Sequence, residues 1–253
     1  MRIALITGGA GGIGQATARR LLADGLQVVV ADIDGAAVSR ATEAIGNSDC
    51  QGMTLDVSSE ADVERVFTEI EDRIGPVSVL VHLAGIIGIS DGQSPHLADS
   101  CLQDWEHVFN VNARGTYLTV REMARRRSAK PVPHGRIITM ASLAAQMGGL
   151  QSGPAYAASK GAVIALTRNA ARNLAELEIT ANAIAPGPID TPMLATASQA
   201  AGTEAKYSRL DSVPLKRVGK PDEIAAAVSF LASIEAAYVT GAVIDVNGGM
   251  AMN

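Results

Sequence analysis

Ser142, Tyr156 and Lys160 are residue types that, at this spacing, suit one chemistry: proton exchange with an alcohol or a carbonyl. Tyr156 and Lys160 stand four apart in the stretch Tyr156-Ala157-Ala158-Ser159-Lys160, so a helix puts them on one face. A free phenol titrates near pH ~10 and is a poor base at neutral pH. An ammonium roughly 4 Å away is worth about 4 kcal/mol at an effective dielectric near 20, or up to ~3 pKa units. A tyrosine so placed can trade protons with a substrate oxygen. Ser142 follows the apolar run 136–141 and can offer a second hydroxyl to the same oxygen. Alone, Tyr-x-x-x-Lys also describes many solvated helices, so the surrounding elements must decide.

Those elements begin at the N-terminus. An apolar run over residues 2–7 leads into Thr7-Gly8-Gly9-Ala10-Gly11-Gly12-Ile13-Gly14, then into a helix-forming stretch from Gln15. Strand, glycine turn, helix is the arrangement that receives a dinucleotide. Glycines let the backbone approach a pyrophosphate, and the helix N-terminus offers free N–H groups and a positive dipole end. A second strand, Gln27 to Asp32, ends in an acid 18 residues after Gly14, where a carboxylate can accept the ribose hydroxyls.

The T-G-x-x-x-G-x-G spacing, with Ser142 and Tyr156-x-x-x-Lys160 downstream in the right order, resembles the compact single-domain branch of the short-chain dehydrogenase/reductase family. The resemblance covers essentially the whole chain. It implies a Rossmann-like α/β fold: a doubly wound, mostly parallel seven-stranded sheet with helices on both faces. Hydride transfer at a nicotinamide and a single domain over residues 1–253 are implied with it. The chain lacks room for the substrate domain of the longer sugar-nucleotide epimerases.

In that frame Gly8, Gly12, Ile13 and Gly14 border the pyrophosphate, with Asp32 and Ile33 at the adenosine ribose. Asp56 and Val57 lie beside the adenine, and Ala84 and Gly85 near the cofactor ribose. Pro186, Gly187, Ile189 and Thr191 contact the nicotinamide carboxamide. Tyr156 is the acid–base residue, and Lys160 lowers its pKa and holds the ribose. Ser142 steadies the carbonyl oxygen, and Asn112 holds a water that relays protons.

Three departures stand out. His82-Leu83 replaces the Asn-Asn that usually precedes Ala-Gly, which puts a bond between neighbouring strands in doubt; His82 reads as structural. One extra residue lies between Ser142 and Tyr156, which leaves Ser152 as a weak rival to Ser142. The run Arg125-Arg126-Arg127-Ser128-Ala129-Lys130 reads as a solvated helix end.

The remaining expected elements are helices over 35–46, 60–74, 101–127 and from Tyr156 to Leu177. Strands are expected over 51–57, 77–85, 135–141, 179–184 and 242–246. A loop over 86–100 borders the substrate, and a lid spans about 187–216.

Composition excludes other classes. Of 253 residues 47% are hydrophobic and only 3% aromatic, so the core is aliphatic; a formal charge of −5 argues against nucleic-acid binding. No apolar run reaches membrane-spanning length, and Met1 to Ile6 reads as a strand and not as a signal peptide. Two unpatterned cysteines fit a reducing cytoplasm. The four histidines lack metal-ligand spacing, and no catalytic metal is expected.

The expectation is therefore NAD-dependent interconversion of a secondary alcohol and its ketone. The partners are a small-molecule substrate and copies of the same chain, a homotetramer by resemblance. Aliphatic candidates for the substrate wall are Ile86, Ile87, Leu143, Met147, Leu150, Met193 and Leu194, with Gln146 and Gln151 as polar handles. An alternative is reduction of 3-oxoacyl groups on an acyl-carrier protein. By resemblance, that branch usually uses NADP and carries basic residues near the end of the tyrosine helix, where this chain has Glu176-Leu177-Glu178. A non-catalytic NAD-binding protein on the same fold is the reading of another class. Such proteins commonly lose the tyrosine or the lysine, and this chain keeps both.

Overall fold

Seven short runs pair into one sheet in the order β3-β2-β1-β4-β5-β6-β7. These are β1 (Ile3–Thr7), β2 (Gln27–Asp32), β3 (Cys50–Thr54), β4 (Val77–His82), β5 (Arg136–Met140), β6 (Thr180–Pro186) and β7 (Val243–Val246). Every pairing is parallel, where the sequence suggested mostly parallel. Parallel strands need crossovers, and cover on both faces explains why β1 and β4 are buried at every position rather than alternately. The computed structural model describes residues 1–88, 96–149, 152–200 and 210–252.

The crossover helices are α1 (Gly12–Ala23), α2 (Gly35–Ile45), α3 (Glu60–Arg73), α4 (Leu102–Phe109), α5 (Gly115–Ala129), α6 (Ala144–Met147), α7 (Gly153–Asn173), α8 (Pro192–Ala200) and α9 (Pro221–Ala232). One face of the sheet packs on α3, α5 and α7 through Phe67, Ile70, Met123 and Ala170. The other packs on α1 and α9 through Leu21, Ile224, Val228 and Leu231. The chain winds outward from β1 to β3, then returns to place β4 beside β1. That reversal opens a crevice at the carboxyl ends of β1 and β4, where open α/β sheets bind ligands.

Several expected elements differ in detail. The helix expected over 101–127 is α4, a π-helical turn at Asn110–Arg114, and then α5. The strand expected over 51–57 stops at Thr54, leaving Asp56 and Val57 in a turn where Ser58 N–H donates to Asp56 Oδ1 at 2.8 Å. Helix α7 ends at Asn173 rather than near Leu177, because Ile179 N–H bonds back to Leu174 O and Glu178 turns left-handed at φ 56°. In the lid, α8 and a turn at Leu210–Ser212 are seen, and 201–209 lie outside the described residues.

The basic run at the end of α5 is not simply solvated. Arg127 is 1% exposed, donates to Val77 O at 2.9 Å and pairs with Glu71, while Arg126 bonds Glu122 at 2.6 Å. These arginines fasten α5 to α3 and to the start of β4.

Candidate active site

The glycine turn sits in the β1–β4 crevice. Gly8 has φ 66°, and a β-carbon there would stand 2.7 Å from Ala84 N. A β-carbon on Gly14 would stand 2.5 Å from Gly8 O, so only glycine lets α1 start so close to the turn. Gly11 caps α1 without a side-chain bond, and no acid lies in the first turn, which leaves that N-terminus open to an anion. Beside it, Asp32 Oδ2 accepts from Ala10 N–H at 3.2 Å and Oδ1 from Ile33 N–H at 2.8 Å. Asp56 and Val57 lie just beyond the carboxyl end of β3, and Ala84 and Gly85 just beyond that of β4. The residues present fit a dinucleotide: a backbone cradle with no room for β-carbons, an open helix end and a carboxylate beside them.

His82 takes over the strand tie that its identity had put in doubt. Its Nδ1 lies 3.0 Å from Thr7 Oγ1 and 2.9 Å from Thr119 Oγ1, joining β4 to β1 and to α5. Burial, with a lesser contribution from the Lys160 charge, pushes the imidazole down to about 3. His82 is thus a neutral structural group.

The proton-transfer residues converge from three elements. Ser142 follows β5, where its Oγ accepts from Ala144 N–H at 3.1 Å and hydrogen-bonds the Tyr156 phenol. Tyr156 and Lys160 share one face of α7, with the Lys160 Nζ 5.7 Å from the tyrosine ring centre. Lys160 Nζ donates to Met140 O at 2.8 Å. Asn112, fully buried in the π turn, accepts from Ile86 N–H at 2.8 Å. Its amide donates to Ile86 O at 2.9 Å and to Ser159 Oγ at 3.0 Å. Both ends of that amide are therefore committed to protein groups, so the side chain clamps the backbone after Gly85 to the tyrosine helix.

The electrostatics depart from the simple lysine–tyrosine picture. Burial raises the phenol above its ordinary value, and the Ser142 hydrogen bond opposes that rise. The ammonium is turned toward Met140 O, and burial lowers it to about 8 from 10.5. Between those values the unfolded chain holds a proton that the folded chain has released. The cost of burying the charge is thus fully present below pH 8 and is relieved as pH rises toward 10.5. At ~1.36 kcal/mol per pKa unit the full effect is about 3 kcal/mol. We expect Lys160→Met, measured by urea unfolding without cofactor, to be more stable than wild type at neutral pH, with the gap narrowing as pH climbs above 8. A gap that does not change with pH would contradict this assignment.

One cavity of about 400 Å³ collects Ile13, Gly85, Ser142, Tyr156, Lys160, Pro186, Gly187, Ile189 and Thr191. Gly12 and Thr191 adjoin, since a β-carbon on the glycine would lie 3.7 Å from Thr191 Cγ2. The glycine turn and the turn after β6 thus form neighbouring parts of one site. Of the expected substrate wall, Ile87, Leu143, Met147, Met193 and Leu194 line the cavity. Ile86 is not among the lining residues, and Gln146 instead bonds Asp245 at 2.8 Å; Leu150 and Gln151 lie outside the described residues. Sequence reasoning missed Leu83 and Met250 as lining residues and gave Ser152 only as a weak rival to Ser142. Met250, far away in sequence, gave no local signal.

A seven-stranded parallel sheet with a glycine turn at its switch point and Ser, Tyr and Lys in one cavity defines a nicotinamide-type oxidoreductase fold and site. The chain belongs to the short-chain dehydrogenase/reductase family: a family profile described as Enoyl-(Acyl carrier protein) reductase matches residues 8–251. It is 39% identical to the 3-oxoacyl-[acyl-carrier-protein] reductase MabA of Mycobacterium tuberculosis, over 99% of this chain and 93% of that protein. It is 33% identical to the 3-oxoacyl-[acyl-carrier-protein] reductase FabG of Aquifex aeolicus, over 98% and 97%. Among solved structures, one titled as ribose-5-phosphate isomerase from Brucella melitensis superposes with a TM-score of 0.86 at 32% identity, covering 98% of this chain and 92% of that one. No helix among the described residues is long and apolar enough to cross a membrane.

Proposed function

We propose that this chain reduces 3-oxoacyl thioesters to 3-hydroxyacyl thioesters with NADH. The observation that carries the reading is an aliphatic, methionine-bearing cavity that opens directly onto Ser142 and Tyr156. Full-length likeness to proteins named as 3-oxoacyl-carrier reductases supports it over a general secondary-alcohol dehydrogenase. The Glu176 and Glu178 objection to an acidic carrier weakens in three dimensions. Both lie beyond the end of α7, whose last two turns carry Arg168 and Arg172, exposed, four apart and without an ion pair among the described residues.

When bound, the nicotinamide supplies a hydride to the C3 carbonyl carbon. The chain supplies the rest. The hydroxyls of Ser142 and Tyr156 hold the carbonyl oxygen, and Tyr156 Oη gives it a proton. The buried Lys160 ammonium favours the phenolate left behind. Asn112 keeps the Gly85–Ile86 backbone and the Tyr156 turn in register through Ser159. Leu102, Trp105 and Tyr117, exposed on α4 and α5, supply an apolar surface for the proposed homo-oligomer.

The test compares acetoacetyl-carrier protein and the acetoacetyl thioester of N-acetylcysteamine with plain ketones, following cofactor absorbance. We expect kcat/KM for the thioesters to exceed that for 2-pentanone at least a hundredfold. Equal values would return the chain to general alcohol–ketone chemistry.

A further inference from the structure

Resting on that reading, we infer that Ser152 and the N-terminus of α7 form a second polar subsite, which holds the substrate's C1 carbonyl oxygen while Ser142 and Tyr156 hold the C3 oxygen.

Ser152 occupies the N-cap position of the 21-residue helix α7, a place where serine normally accepts a bond from a first-turn N–H. Here it makes no such bond. Its backbone, at φ −122° and ψ 2°, is outside the extended region from which an N-cap side chain reaches over its helix. The residue is only 8% exposed, and its Oγ is buried without a hydrogen-bond partner among the described residues. A buried hydroxyl left unpaired costs about 1–3 kcal/mol, so an unpaired one on a cavity wall suits a ligand.

The other cavity hydroxyls are occupied differently. Ser142 is held by Ala144 N–H and the phenol, and Thr191 donates to Ile189 O at 3.2 Å. Ser152 lines the same cavity next to Gly149, where a β-carbon would stand 2.8 Å from its Oγ. A side chain at 149 would therefore crowd this hydroxyl.

Placement selects the ligand. Ser152 stands four residues before Tyr156, and Gly153, at φ 72°, turns the chain from it into α7, so that Ser152, Ser142 and Tyr156 line one cavity. A further unpaired hydroxyl on the wall that carries Ser142 and Tyr156 suits a molecule with two oxygens separated by a short carbon bridge. A 3-oxoacyl thioester is such a molecule, with one methylene between its carbonyls; a plain ketone is not. The positive end of the α7 dipole adds to the attraction for a carbonyl oxygen.

The experiment measures kcat/KM for the acetoacetyl thioester, ethyl acetoacetate and 2-pentanone, with the reduced nicotinamide cofactor that the wild type prefers. Wild type, Ser152→Ala and Ser152→Thr are compared, with melting temperatures to confirm folding. In Ser152→Ala the preference for ethyl acetoacetate over 2-pentanone should fall about tenfold, the worth of one hydrogen bond, mainly through KM. Ser152→Thr should recover most of it. A preference that does not change in Ser152→Ala, or one that threonine fails to restore, overturns the subsite. If the thioester is not reduced but ethyl acetoacetate is, the carrier-linked function fails while the subsite is still judged on the ester. If neither is reduced, calorimetric titration of ethyl acetoacetate into the enzyme–cofactor complex decides. Equal affinity in wild type and Ser152→Ala, or no binding, then overturns it.

Discussion

Tyr156→Phe is expected to lower turnover of a 3-oxoacyl thioester by about 10²–10⁴-fold, the range typical of general acid–base catalysis. The structure makes this substitution clean. The phenol hydrogen-bonds Ser142, whose Oγ also accepts from Ala144 N–H, so losing the phenol does not orphan the serine. The ring stays, and with it the packing at the start of α7. Stability should therefore change by no more than the ~1 kcal/mol of a typical hydrogen bond. Affinity for the reduced cofactor, read by fluorescence titration, should stay near wild type because the hydroxyl faces the substrate cavity. Turnover within tenfold of wild type would remove Tyr156 from its role. A large loss of both turnover and cofactor affinity would point to a collapsed site instead.

Local signals carried much of this architecture. The glycine turn between β1 and α1 is legible because backbone approach to an anion needs residues without β-carbons, and these are contiguous in sequence. The Tyr156–Lys160 pair is legible because four residues span one helical turn. Legibility failed where partners are remote. His82 meets Thr7 across 75 residues, and Gln146 meets Asp245 across 99, so neither contact leaves a pattern in its own segment. Arg127 sits in what looks like a solvated basic run, yet its guanidinium reaches under β4. The π turn at Asn110–Arg114 interrupts what reads as one long helix and leaves no mark in its composition. Ser152 reads in the sequence only as a weak rival to Ser142; its separate place, at the head of α7 with an unpaired Oγ, shows only in the backbone angles and the burial.

Cofactor choice is where the two lines of inference pull against each other, and the proposed NADH preference rests on Asp32. The carrier-reductase branch usually takes NADP by resemblance, whereas this chain places a carboxylate where the ribose hydroxyls would lie. Asp32 is anchored by Ala10 N–H and Ile33 N–H, so it cannot readily swing away. A 2′-phosphate adds about two negative charges there. At a few ångströms and an effective dielectric near 20 the repulsion is several kcal/mol before salt screening.

The nearby cations are engaged elsewhere. Arg19 turns to Gln15 at 3.3 Å, Arg20 to Asp24 at 3.2 Å, and Arg40 lies 3.9 Å from Asp34, itself a further acid two residues on. Gly11 and Ile33 bring no charge. We therefore expect kcat/KM with NADH to exceed that with NADPH at least a hundredfold, which corresponds to ~2.8 kcal/mol. Asp32→Ala should bring the ratio to within about tenfold, by removing both the ribose hydrogen bonds and the repulsion. Wild-type values that are equal or favour NADPH would sink the argument, and so would a preference that survives the substitution. An NADH preference together with 3-oxoacyl turnover would separate this chain's cofactor from that of its carrier-reductase relatives by the charge of one side chain.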